Sequence, residues 1–112
     1  MSTSPDLSDW TRVMQLADLP EGRPAHASVG SLDVFLYRAG DHIFAMANRC
    51  SHQGGPLNKG VVRPGPQPSV TCPVHGSVFW MTDGRVVRGP ATAPQPVYEV
   101  RVNGEMVEIK AR

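Results

Sequence analysis

The only two cysteines of this 112-residue chain stand in two short Cys/His pairs, Cys50-Ser51-His52 and Cys72-Pro73-Val74-His75, with nineteen residues (53–71) between them. Four soft ligands without a spare thiol suggest a metal centre, and any fold that satisfies them has to bring two loops face to face. Glycine follows each pair within two residues, at Gly54 and Gly76, with Gly55 directly after the first of them. Glycine there permits close backbone approach, so that amide N–H groups can point at sulfur.

The rest of the chain predicts an all-β fold. Gly and Pro number 11 each, and apolar residues fall in short alternating runs broken by turn signals. Residues 10–16 and 25–29 read as strands around the turn Asp18-Leu19-Pro20-Glu21-Gly22. Residues 33–38 and 42–47 read as a hairpin, with Val34 and Leu36 alternating against Phe35 and Tyr37 and a turn at Ala39-Gly40-Asp41. Val61-Val62 and Val70-Thr71 flank a tip with three prolines in five residues, Pro64-Gly65-Pro66-Gln67-Pro68, which cannot form a regular ladder. Asp83-Gly84 predicts a tight hairpin between residues 78–80 and 86–87, and Asn103-Gly104 another between residues 97–102 and 106–110. Trp10, Phe35, Tyr37, Phe44, Phe79 and Trp80 fall in these strands, which assigns them to packing.

Length suits one domain that buries roughly two-thirds of its unfolded surface. The expected organisation is a flexible tail over residues 1–9 and a single domain over 10–112, with the ligand-bearing part at about 48–89. The formal charge is +1, from 11 basic and 10 acidic residues spread along the chain without a Lys/Arg run, which disfavours nucleic acid or an anionic membrane as partner. The first residues lack a charged start and an apolar stretch, and no apolar run approaches the ~18 residues of a membrane span. Two cysteines cannot both make a disulfide and serve a metal group, which points to a reducing cytoplasm. Nothing supplies a nucleophile motif, a phosphate loop or a nicotinamide fingerprint, so the chain is not expected to be an enzyme on its own.

The motif halves Cys-Ser-His-Gln-Gly-Gly-Pro-Leu and Cys-Pro-Val-His-Gly-Ser closely resemble the ligand pattern of Rieske iron-sulfur proteins, and the resemblance extends over the chain from about Trp10. It implies a β-sandwich or barrel base with a smaller inserted cluster-binding subdomain and one [2Fe-2S] cluster per chain. Cys50 and Cys72 would hold the inner iron, and His52 and His75 the outer one. Neutral imidazoles leave the oxidised cluster uncharged, whereas four thiolates would start it at minus two, one electrostatic reason that histidine ligation raises potential. The respiratory branch has cysteines where this chain has Gly55 and Val74, so its loop-locking disulfide is absent. Ser77 matches the serine that donates to a cluster sulfur there, while the tyrosine two positions on is Phe79, which predicts a potential below the respiratory proteins. Residues Pro90 to Pro96 resemble the proline loop that shields the cluster. Gln53, Pro56, Leu57, Pro73 and Val74 would surround the histidines as a small apolar docking patch.

Structural zinc is the plain alternative, but zinc sites usually show Cys-x2-4-Cys or His-x3-5-His spacing. His26 and His42 have no partners at ligand spacing and read as ordinary histidines. The favoured function is a soluble one-electron carrier, similar to Rieske ferredoxins that pass electrons from a flavin reductase to a terminal oxygenase, with a monomer as the default. The alternatives are the small subunit of an assimilatory NADH-dependent nitrite reductase, partnered by its large subunit, and a zinc-stabilised interaction module.

Overall fold

Val34 and Leu36 point to one side of their strand and Phe35 and Tyr37 to the other, and all four are at most 3% exposed. A strand buried on both faces needs a layer on each side of it. The computed structural model, which describes residues 7–52 and 54–112, supplies both layers.

Six strands form the larger antiparallel sheet: β1 (Thr11–Gln15), β2 (Pro24–Val29), β3 (Leu32–Ala39), β4 (His42–Ala47), β9 (Val97–Asn103) and β10 (Met106–Ala111), in the order β1-β10-β9-β4-β3-β2. The sheet curls until β1 and β2 come into contact across the open seam. Inside it lie Leu19, Val34, Leu36, Ala45, Val107 and Ile109. Pro24 opens β2 at the sheet edge, where a missing N–H costs no ladder bond.

The smaller sheet is β5 (Val61–Arg63), β6 (Ser69–Thr71), β7 (Val78–Trp80) and β8 (Val86–Arg88), antiparallel and in that order. Phe35, Tyr37 and Met46 from the larger sheet meet Val70, Phe79 and Met81 from this one, forming a second core that also contains Cys50, Cys72 and Leu57. The thiols thus sit at the edge of a packed interior. The chain engages the domain from Leu7, three residues before the expected boundary: Leu7 packs against the core of the larger sheet, and its carbonyl accepts from the Ala111 N–H at 2.8 Å. The remainder of the expected tail, residues 1–6, lies outside the described residues.

Three hairpins of the larger sheet turn through two residues, Gly30-Ser31, Gly40-Asp41 and Gly104-Glu105. Each has glycine first with φ between 60° and 64°, and among the described residues no non-glycine residue has positive φ. That combination is the type II′ pattern, which matches the strand twist. The last turn sits one residue later than Asn103-Gly104 suggests, because Asn103 remains in β9, paired with Met106. The β7–β8 connection is also longer than a tight hairpin: the Trp80 N–H donates across to the Arg85 carbonyl, and β8 carries an extra residue opposite Val78 and Phe79. Among the described residues no helix is long and apolar enough to cross a membrane.

Candidate metal centre

The two Cys/His loops share one backbone frame. The Cys50 N–H donates to the Gly55 carbonyl and the Gly54 N–H to the Cys50 carbonyl, both at 2.8 Å; at the same offsets the Cys72 N–H donates to Ser77 at 2.7 Å and Gly76 to Cys72 at 3.1 Å. Gly54 and Gly76, each four residues after its cysteine, have φ of 73° and 80°, a region that favours glycine. The frame is therefore legible as Cys-x3-Gly in both loops, although the histidine is second after Cys50 and third after Cys72. The first loop leaves β4 and the second joins β6 to β7, and the two meet where Gly55 abuts Cys72 and Val74.

Cys50 and Cys72 are buried and unpaired by any disulfide. Burial raises the Cys72 thiol pKa, as does the neighbouring Cys50 thiol, and together these outweigh the Val74 and His75 amides that point at the sulfur. The His52 N–H likewise approaches Cys50 Sγ at 3.5 Å. Above this buried pair His52 and His75 are exposed and meet edge to face, with ring centroids 5.4 Å apart. The loops close tightly on each other at Gly55: a Cβ there would fall 2.8 Å from Cys72 Sγ and 2.4 Å from Val74 Cγ2. Valine at 74 thus occupies the room that glycine at 55 leaves, and the two loops are joined by packing instead of a crosslink.

The segment between β8 and β9 straps both loops. The Gln95 side chain accepts from the Ser51 N–H at 2.6 Å and donates to the Ala47 and Arg49 carbonyls, both at 2.9 Å. Ser51 Oγ donates to the Ala93 carbonyl at 2.7 Å. On the other loop, buried Ser77 Oγ accepts from the Ala91 N–H at 3.1 Å, which leaves its own proton free to donate elsewhere. Beneath the first loop, buried Asn48 donates to Asp33 at 3.0 Å and to Asn58 at 2.8 Å, while its oxygen accepts from the Asn58 N–H at 2.8 Å. Sequence reasoning passed over Gln95 and Asn48. The available signal was one amide side chain among the prolines and alanines of residues 90–96, and another two residues before Cys50.

Other expected residues sort by contact. His26 bonds Asp33 at 3.0 Å, and His42 lies against Phe44 with centroids 4.4 Å apart, so neither joins the loops. Leu57 is fully buried in the core and does not belong to a docking patch, whereas Pro73 and Val74 are exposed beside His75. Gln53 lies outside the described residues. Trp10 stands just before β1, with Arg101 over its ring at 4.5 Å.

The donor set fits a two-metal group. A mononuclear zinc needs four donors about a point, whereas the donors here separate into a buried pair and an exposed pair. Two buried thiols opposed to two exposed imidazoles suit a [2Fe-2S] group that takes two protein ligands per iron.

Comparison with known proteins agrees. The model of the Rieske [2Fe-2S] domain family matches residues 9–99. The anthranilate 1,2-dioxygenase ferredoxin subunit of Burkholderia cepacia is 31% identical over 107 residues, covering 96% of each chain. The ferredoxin of carbazole 1,9a-dioxygenase from Nocardioides aromaticivorans IC177 superposes with a TM-score of 0.83 at 30% identity, covering 94% of this chain and 100% of that one. A chain in the complex of reduced oxygenase and oxidized ferredoxin in carbazole 1,9a-dioxygenase gives 0.79 at 27% identity, covering 94% and 97%. With the matched loops, core and topology all in place, this chain belongs to the Rieske [2Fe-2S] family.

Proposed function

We propose that Cys50 and Cys72 hold one iron of the [2Fe-2S] cluster and His52 and His75 the other, and that the chain carries single electrons from a flavin reductase to a terminal oxygenase. The observation that supports this most is the pair of equivalent loops, with both thiols in the core and both imidazoles at the surface. The cluster supplies one-electron chemistry between its ferric and mixed-valence states. The protein's part is to exclude water from the thiolate side, offer amide N–H groups to sulfur, and leave the imidazole edges open to a partner. The Burkholderia cepacia relative is named as the ferredoxin subunit of a dioxygenase, which supports the same reading. The same reading takes the carrier to be cytoplasmic and monomeric.

Iron and sulfide analysis with EPR of the reduced protein tests the ligand assignment. Equal iron and sulfide with a mixed Cys/His signal is expected; a colourless protein replete in zinc would refute it. Co-purification with a large sirohaem subunit, rather than turnover with an oxygenase, would instead assign the nitrite reductase role.

A further inference from the structure

Charge is segregated along this chain in a way its total conceals. Residues 48–89 contain five basic side chains, Arg49, Lys59, Arg63, Arg85 and Arg88, and one acid, Asp83, a net of +4; the remaining residues hold six bases and nine acids, a net of −3. Asp83 is engaged by Arg85 at 2.7 Å. The ligand-bearing segment is therefore net cationic and the rest of the chain net anionic, which corrects the even spread that a reading along the chain suggests.

The outer face of the smaller sheet gathers this charge around an apolar groove. Phe79 turns inward to the core, so its neighbours Val78 and Trp80 turn outward. Cross-strand pairing sets Val61, Thr71, Val78 and Arg88 in one row, and Arg63, Ser69 and Trp80 in the next. The extra residue in β8 breaks its alternation, and both Val87 and Arg88 consequently face the groove. Val61 and Val87 are 65% and 43% exposed, and among the described residues no acidic one lines the groove. Among the described residues Arg63 and Arg88 have no ion-pair partner. The inner row adjoins the second ligand loop directly, since Thr71 precedes Cys72 and Val78 follows Ser77.

We propose that this groove, walled by Trp80, Val61 and Val87 and flanked by Arg63 and Arg88, is the docking surface for a redox partner that presents carboxylates around an apolar contact. The proposal rests on the carrier reading and adds the partner's chemistry to it. Opposite charge would steer the encounter and orient the cationic segment, with its imidazoles, toward the acceptor. The Trp80 ring with its valine neighbours supplies the apolar centre that brief complexes use for registration.

The test uses the loaded, reduced protein and anionic probes. Hexacyanochromate(III), a redox-inert paramagnetic trianion, is expected to broaden the Trp80 indole and the Val61 and Val87 methyl resonances in NMR spectra of the wild type. In stopped flow at low ionic strength, oxidation by ferricyanide should be about tenfold slower in Arg63→Glu/Arg88→Glu than in wild type, while oxidation by hexaammineruthenium(III) becomes faster. Arg23→Glu, outside the ligand-bearing segment, should match wild type with both oxidants. An unchanged EPR signal in the double variant separates a lost docking surface from a lost cluster, so the carrier reading stands or falls independently. Equal ferricyanide rates in the double variant and Arg23→Glu would overturn the proposal. So would broadening spread over all the arginines, which denotes a general positive field without a groove.

Discussion

At the scale of single residues, the site depends on two side chains that touch no ligand position by sequence rule. Ser77 already accepts from the Ala91 N–H, which fixes its oxygen and leaves its proton to donate toward the sulfur side. Ser77→Ala should lower the midpoint potential by about 40 mV, the one-electron equivalent of a hydrogen bond worth about 1 kcal/mol. A redox titration that shows no drop removes the serine from the tuning of the cluster. Gln95 spends both ends of its amide on the first loop, and Gln95→Leu leaves the Ser51 N–H and two carbonyls without partners. Chemical denaturation should register a loss of roughly 2–4 kcal/mol, with a broadened EPR signal, since an orphaned group costs up to about 1–3 kcal/mol and water can reach these part-buried ones. The four ligands were legible because cysteine is scarce here and the spacings are specific. Gln95 was not, because its bonds join residues 44 to 48 positions apart in the chain, and no local pattern encodes a partner at that distance.

At the scale of elements, the hairpin pairings follow from alternation and turn chemistry, whereas the β1–β10 and β4–β9 pairings that complete the strand order join residues too far apart in the chain for any local pattern to encode. Val34 to Tyr37 could be read as a strand buried on both faces because both alternate sets are large and apolar. The exact turn positions could not, since the twist of the paired strands selects glycine as the first loop residue and so shifts the Asn103-Gly104 turn by one. Glycines at positive φ differ in what surrounds them, and stability should follow. A Cβ at Gly84 would meet the Gln95 carbonyl oxygen at 2.0 Å, whereas Gly104 has nothing within 4 Å. Gly84→Ala should destabilise by roughly 2–4 kcal/mol and Gly104→Ala by about 1 kcal/mol, from strain alone at the second site. Equal shifts in denaturation midpoint would show that Gly84 is not wedged against the strap. Asp33 links β2, through His26, to Asn48 under the first loop. Burial pushes its pKa up, but the bonds from Asn48 and His26 outweigh that and hold it below 3.8. A depressed carboxyl contributes stability above its unfolded pKa and loses it as pH falls through the folded value. Asp33→Asn should accordingly flatten the acid limb of the stability curve below about pH 4, with little change in its slope near neutrality.

At the scale of the whole molecule, two cores hold two sheets together, and the ligands occupy the rim of one of them. Two packed cores of this kind are expected to hold together without metal, unlike small zinc modules that unfold when stripped. Chelator-treated protein should therefore keep its far-ultraviolet CD and a cooperative denaturation transition, while losing colour and EPR signal. A stripped chain with coil-like CD would show that the cluster is a folding nucleus. The fold class was visible in the sequence because it follows from periodicity and turns. The segregation of charge was equally present, but a total of +1 hides it, and only the division into the ligand-bearing segment and the rest of the chain brings it out.

The loop between β7 and β8 repeats the frame of the two ligand loops: the Trp80 N–H donates to the Arg85 carbonyl at 3.0 Å and the Gly84 N–H to the Trp80 carbonyl at 2.8 Å, with Gly84 at φ 79°. It bears no cysteine or histidine, so this frame is built by backbone bonds and glycine without help from iron. Chelator-treated protein is accordingly expected to keep the Cys50, Gly54, Cys72 and Gly76 amides as protected from hydrogen exchange as those of Trp80 and Gly84, so that iron and sulfide would load a receptacle already formed; loss of protection at the ligand loops alone would show that the cluster shapes them.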